Sequence, residues 1–334
     1  MAACHPPLAR YRRASGVGWG KNLDATTLIA ALAPVLLVLG LGFAAGKHRN
    51  FDEDQVKGLS HLALTYALPA ALFLSMAHFR RTTLLEQAPV ALVMLAGYTG
   101  LYLLLYEALF AAGRTRLEAA LLGYTFSSSS VPIFGLTVLV PIYGQDTGAA
   151  IVGLVALITN LAQVSVAVFL LDSATSSSGE RPSLAKSVFR AMINPLVWAP
   201  LLGGCLALSG LTLSPVATSM LQPLAAAGGG VAIFAAGLVL AAHRITLSPL
   251  VVIGALFVLA LQPAFFFLGL KLGNLHGPMA EAALVGSAFP NATIAILFAQ
   301  QYRTAEREVA SILLITTVAM VIAIPLTLAA SGYL

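Results

Sequence analysis

The sequence predicts an all-α polytopic membrane protein: ten transmembrane helices in a 5+5 inverted repeat, with broken crossover helices four and nine. Three observations predict this. First, 59% of the 334 residues are hydrophobic and only 9% are charged, against roughly 25% charged in soluble domains. A water-soluble fold of that composition would expose large apolar patches, so most of this surface faces lipid. Second, ten stretches approach the ~20 apolar residues needed to cross a ~30 Å hydrocarbon core. Third, spans four and nine carry matched prolines in a polar setting.

The spans run approximately 27–46, 59–78, 88–112, 117–143, 148–172, 187–209, 215–241, 248–272, 278–302 and 306–331. Arg10, Arg12, Arg13 and Lys21 precede the first. At about 18 residues its apolar run exceeds a signal-peptide core, so it reads as a retained span. The stretch 173–186, with Ser176-Ser177-Ser178-Gly179-Glu180, reads as a flexible cytoplasmic linker. The expected organisation is an N-terminal tail (1–26), a first five-helix repeat (27–172), the linker (173–186) and a second repeat (187–334).

The halves resemble each other. Span four reads Ser127-Ser128-Ser129-Ser130-Val131-Pro132, then apolar residues to Tyr143; span nine reads Phe289-Pro290-Asn291-Ala292-Thr293, then apolar residues to Tyr302. Ala33-Pro34 with Gly40 and Gly42 in span one matches Ala199-Pro200 with Gly203 and Gly204 in span six. An odd number of spans per repeat inverts the second repeat, a design common among secondary transporters. Eleven Lys/Arg lie in the odd-numbered loops and seven on the other side, four of those in the tail. Basic loops stay in the cytoplasm, so a multi-pass protein of the cell membrane with both termini outside is expected.

Proline removes a backbone donor and clashes with the preceding turn, so spans four and nine are expected to break, with Pro132 and Pro290 near the first position of each downstream half-helix. At ~1.5 Å per residue both prolines lie about 20 Å into their spans, near mid-bilayer. Helix N-termini carry unpaired N–H groups and about half a positive charge. Two such ends converging from opposite repeats make an anion site. Ser128, Ser129, Ser130, Pro132, Pro290, Asn291 and Thr293 are the candidate substrate-binding residues, with Asn160 of span five as a further candidate. A lone proline is more often a kink, and intramembrane serines often serve packing; the matched pair carries the functional reading.

Thr159 and Gln163 also sit mid-span five, and Glu107 lies near the end of span three. Cys4 and Cys205 make no disulfide framework. The six histidines show no metal-ligand spacing. No cofactor, metal or nucleic-acid partner is expected. No span pairs carboxylates or places a histidine in mid-membrane, so intramembrane enzyme chemistry lacks its groups. No filter motif suggests a channel.

At these residues the chain resembles the auxin efflux carrier family, above all its bacterial permeases of the malonate and malate type. The motifs are Gly40-Leu41-Gly42, Ala67-Leu68-Pro69-Ala70-Ala71-Leu72-Phe73, Asn194-Pro195-Leu196 with Pro200-Leu201-Leu202-Gly203, Phe234-Ala235-Ala236-Gly237, Pro290 with Ala299-Gln300-Gln301-Tyr302, and Ser311-Ile312-Leu313-Leu314 with Thr316-Thr317 and Pro325. Their order covers about 27–331. Many relatives carry an asparagine where this chain has Ser127–Ser130.

The resemblance implies a secondary transporter that moves small organic anions (malonate, malate or auxin-like acids) by alternating access. Spans three to five and eight to ten would move, elevator fashion, against a scaffold of spans one, two, six and seven. The expected partners are a small organic anion, the lipid bilayer and, in a homodimer, a second copy of the chain. A sodium-coupled organic anion symporter of the bile-acid type is the alternative.

Overall fold

A computed structural model describes residues 25–78, 87–175, 183–242, 246–332 and 334. The tail to residue 24, the linker segment 176–182, Arg80, Arg81 and Arg244 lie outside the described residues.

The described chain is helical, without strands. Its helices are α1 (Ala25–Lys47), α2 (Glu53–Leu62), α3 (Leu68–Ala77), α4 (Ala88–Leu95), α5 (Leu101–Ala111), α6 (Arg116–Ser127), α7 (Val131–Ile158) and α8 (Val164–Thr175). Then follow α9 (Leu184–Ile193), α10 (Pro195–Ser209), α11 (Pro215–Ala242), α12 (Pro249–Leu256), α13 (Gln262–Leu272), α14 (Pro278–Ser287), α15 (Ile294–Gln301) and α16 (Glu306–Ser331). Single π-helical turns join α2 to α3, α4 to α5, α7 to α8 and α12 to α13.

Local chemistry sets the starts. Asp52 and Gln55 form a reciprocal capping box on α2 (2.8 and 2.9 Å), and Thr115 and Glu118 form another on α6 (both 3.2 Å). Asn194 and Ser248 cap α10 and α12. Prolines 195, 215, 249 and 278 open their helices, where the missing N–H costs nothing.

Among the described residues six helical runs are long and apolar enough to cross a membrane: Glu53–Ala77, Ala88–Ala111, Arg116–Thr175, Pro215–Ala242, Pro249–Leu272 and Glu306–Ser331. Ala31–Lys47 and Pro195–Ser209 are shorter apolar helices. The expected first and sixth spans fall on these two, and the ninth is divided between α14 and α15.

The run Arg116–Thr175 has 60 residues, about 90 Å of helix, far beyond one crossing. It folds back at Gly144, whose φ of 82° favours glycine. A Cβ on Gly135 would meet Val152, and one on Gly148 would meet Leu139 and Val140. Both pairings are centred on residue 144, so the two arms of α7 pack antiparallel, and the fold-back falls between the segments expected as spans four (117–143) and five (148–172).

Spans three and eight share a finer pattern. Each is an α-helix of 8 residues, a π turn of 5 and an α-helix of 11. They cross antiparallel: Gly97 abuts Phe266 and Val93 abuts Gly269. The Tyr98 and Phe266 rings meet edge-on, 4.9 Å between centroids.

The helices pack in two groups. In one, α1 runs along α11 while α3 packs on α10 and α11. In the other, α5 packs on α6, α6 on α8 and α15, α12 on α16, and α14 on α13 and α16. Helix α7 contacts both groups, α1, α3 and α11 on one side and α14 on the other. Leu37, Leu104, Met220 and Ile322 point outward, as lipid contact requires. Within the first group small residues set the approach: a Cβ on Gly42 would strike the Phe234 carbonyl, and one on Gly237 the Leu39 carbonyl, whereas Gly40 has nothing within 4 Å.

Gly237→Ala is therefore expected to lower the thermal midpoint of the detergent-solubilised protein, by the equivalent of about 1–3 kcal/mol. Gly40→Ala should leave it unchanged or raise it slightly. Equal midpoints for the two variants would contradict this packing.

Candidate functional site

Both expected breaks are present, and they meet. Helix α6 ends at Ser127; Ser128 is extended (φ −85°, ψ 161°), and α7 begins at Val131. Helix α14 ends at Ser287, and α15 begins at Ile294. Pro132 is the second residue of α7, as its fixed φ favours. Pro290 corrects the expectation. It lies within the break, four residues before α15, because the residues after it bond to the other break instead of starting a helix.

Four hydrogen bonds tie the two breaks. Ser130 N–H donates to Pro290 O (2.8 Å) and Ala292 N–H to Ser128 Oγ (3.0 Å). Ser130 Oγ donates to Asn291 O (2.7 Å), and Ser129 Oγ to Gly286 O (3.0 Å). Ser128, Ser129, Ser130, Pro132, Pro290 and Asn291 are all buried. The serine hydroxyls thus serve the opposite break and satisfy backbone that lipid could not.

Helix α16 and the π turns complete the surroundings. Thr316 Oγ1, which bonds its own helix at Ile312 O (2.8 Å), also lies 3.1 Å from Asn291 Oδ1 and so brings α16 against that amide. Its Nδ2 is buried without a partner, as is Thr293 Oγ1 at the head of α15. Both are polar groups that burial leaves unsatisfied, which calls for an explanation. Gln163 Nε2 reaches Tyr98 O (2.9 Å), Ser127 O (3.1 Å) and Ser127 Oγ (3.1 Å). Gln262 Nε2 reaches Ser127 O at 3.2 Å. Asn160 turns to its own helix, donating to Ala156 O at 2.8 Å.

The sequence reading thus places Ser128, Ser129, Ser130, Asn291 and Thr293 at one spot, while Asn160 bonds elsewhere. Gln262 and Tyr98 are not among the sequence candidates; Thr316 enters there only within the family motif, and Gln163 only as a polar residue of span five. The available signal for Gln262 was an amide before proline in mid-span, a costly residue in lipid. Glu107, near the end of span three, is exposed on α5.

A cleft of about 640 Å3 opens beside the crossover, between α7 on both sides of its fold-back and helices α3 and α11. Ser75, His78, Thr137, Asp146 and Gln222 contribute to its lining. Its lining on α7 begins at Leu136, one helical turn beyond Pro132.

A family profile described as "Membrane transport protein" matches residues 27–328. The chain is 29% identical over 303 residues to the uncharacterized transporter YfdV of Escherichia coli (strain K12), covering 90% of this chain and 96% of that protein. The same protein of E. coli O157:H7 and of Shigella flexneri matches equally. These likenesses do not favour the bile-acid type of symporter, and they indicate a multi-pass transport protein rather than an enzyme. The chain belongs to the membrane transport protein family, the auxin efflux carrier type whose motifs it resembles.

Proposed function

We propose that the chain is a secondary carrier of small organic anions, with malonate, malate and auxin-like acids as candidate substrates, and that the meeting of its two breaks is the binding site. The observation that carries this is the unpartnered amide Nδ2 of Asn291, fully buried where the breaks meet. Beside it stands the unpartnered hydroxyl of Thr293. A carboxylate accepts from both, and the positive ends of α7 and α15 add to its attraction. Ser128, Ser129, Ser130 and the two prolines hold this geometry.

Ten crossings in two inverted halves are part of the proposal. The recurring α–π–α pattern and the antiparallel crossing of spans three and eight support it, because inverted repeats place equivalent helices antiparallel. Movement of the crossover-bearing group against α1, α3, α10 and α11 gives alternating access, with the cleft as the approach from one side. The excess of Lys/Arg in odd-numbered loops supports outward termini.

Liposome counterflow of labelled malonate, malate and indole-3-acetate tests the function, and exchange of at least one is expected. Asn291→Ala should cut that exchange by about tenfold to a hundredfold, as loss of a hydrogen bond to a charged group implies, at an unchanged level in the membrane. Wild-type exchange by Asn291→Ala removes the site.

Ser130→Ala is expected to lower stability by about 1–2 kcal/mol, because the Asn291 carbonyl loses its donor; thermal melting in detergent reads this. Alkaline phosphatase fused after Leu334 is expected to be active, which requires an external C-terminus. An inactive, membrane-inserted fusion reverses the topology.

A further inference from the structure

The amide of Gln163 stands where three oxygens converge. Tyr98 O lies 2.9 Å from its Nε2, and Ser127 O and Oγ each lie 3.1 Å away. Gln262 brings a second amide nitrogen to Ser127 O at 3.2 Å. Both glutamines are wholly buried. Ser127 is the last residue of α6, where helical carbonyls lack partners and the helix carries partial negative charge. Tyr98 O belongs to a π turn that likewise loosens the regular ladder.

The direction of the Gln163 amide follows from these contacts: turned over, it would set Oε1 against three oxygens with only one able to donate. The consequence falls on the far side, where Oε1 of both glutamines is buried without a partner. A buried amide oxygen left unsatisfied in each of two residues calls for a reason.

Oxygens gathered at the C-terminal end of a half-helix, one residue before a break, have the form of a cation site; broken-helix carriers place sodium or a proton at such ends. Here amide hydrogens occupy it. We infer that Gln163 and Gln262 are a built-in counter-charge, taking the place of a coupling cation beside the anion site proposed above, on which this inference rests. They are positioning residues. Their N–H groups quench the negative end of α6, which would otherwise repel an anion at the adjoining break. The carrier therefore works without sodium or potassium.

The test uses the full chain in liposomes and whichever of malonate, malate or indole-3-acetate the wild type exchanges. Exchange is expected to agree within about twofold in sodium, potassium and choline media. Gln163→Leu keeps the bulk and removes the donor; its KM should rise about tenfold with kcat within about twofold. Gln262→Leu, which loses one contact, should show a smaller rise.

Gln163→Glu adds a readout that packing alone does not move. Only its protonated carboxyl donates, so between about pH 8 and about pH 5.5 its KM should fall toward the wild-type value at the same pH as acid is added. A cation requirement in the wild type, an unchanged KM in Gln163→Leu, or Gln163→Glu matching wild type at every pH overturns the inference. If Gln163→Leu does not fold, Gln163→Glu and Gln262→Leu decide. Exchange of none of the three acids by the wild type overturns the anion site itself. Exchange with normal glutamine variants overturns only the counter-charge.

Discussion

A backbone interrupted in mid-membrane has nowhere to send its N–H and C=O groups except to protein. In this chain two interruptions answer each other's need. The bonds Ser130 N–H to Pro290 O and Ala292 N–H to Ser128 Oγ satisfy backbone donors of one break with oxygens of the other. The hydroxyls of Ser129 and Ser130 return the service to carbonyls of the second break. Neither break is stable alone at that depth, so the two form together or not at all. Everything that follows, from the direction of the half-helices to the burial of an unpartnered Asn291 Nδ2 where they meet, depends on this mutual closure.

The surrounding helices hold the closed pair by the same logic. π turns in spans three and five and at the head of α13 loosen the regular ladder, and side chains bond carbonyls in and beside them: Gln163 reaches Tyr98 O, and Asn160 reaches Ala156 O. Helix α16 contributes Thr316, whose hydroxyl lies 3.1 Å from the Asn291 amide oxygen. The glycine-lined contact of α1 with α11 lies in the other helix group, away from these polar bonds. One group is thus rich in buried polar bonds and the other in close backbone packing.

The apolar runs were legible because lipid imposes a length and a composition on each crossing. Pro132 and Pro290 announced the breaks, because proline cannot complete a helical ladder. The sequence could not tell which polar groups would be used up in joining the breaks. Ser128 to Ser130 look like ligands in a linear reading, yet in three dimensions their oxygens face the other half of the chain, some 160 residues away, as the Ser130–Asn291 separation of 161 shows. Pro290 looked like a helix start and is not one, because Ala292 N–H is drawn to Ser128. Gln262 was hidden for a similar reason: its role is defined by the Ser127 carbonyl, 135 positions earlier.

Paired cysteines address the meeting of the breaks most directly. In a chain carrying Cys4→Ser and Cys205→Ser, Ser128→Cys and Ala292→Cys replace two residues joined by a 3.0 Å hydrogen bond, within disulfide reach. A protease site placed in the segment 176–182 allows the halves to be separated after oxidation. The account predicts that the halves stay joined on a non-reducing gel and part on reduction. Halves that separate without reductant, from protein that is folded and inserted, would contradict it.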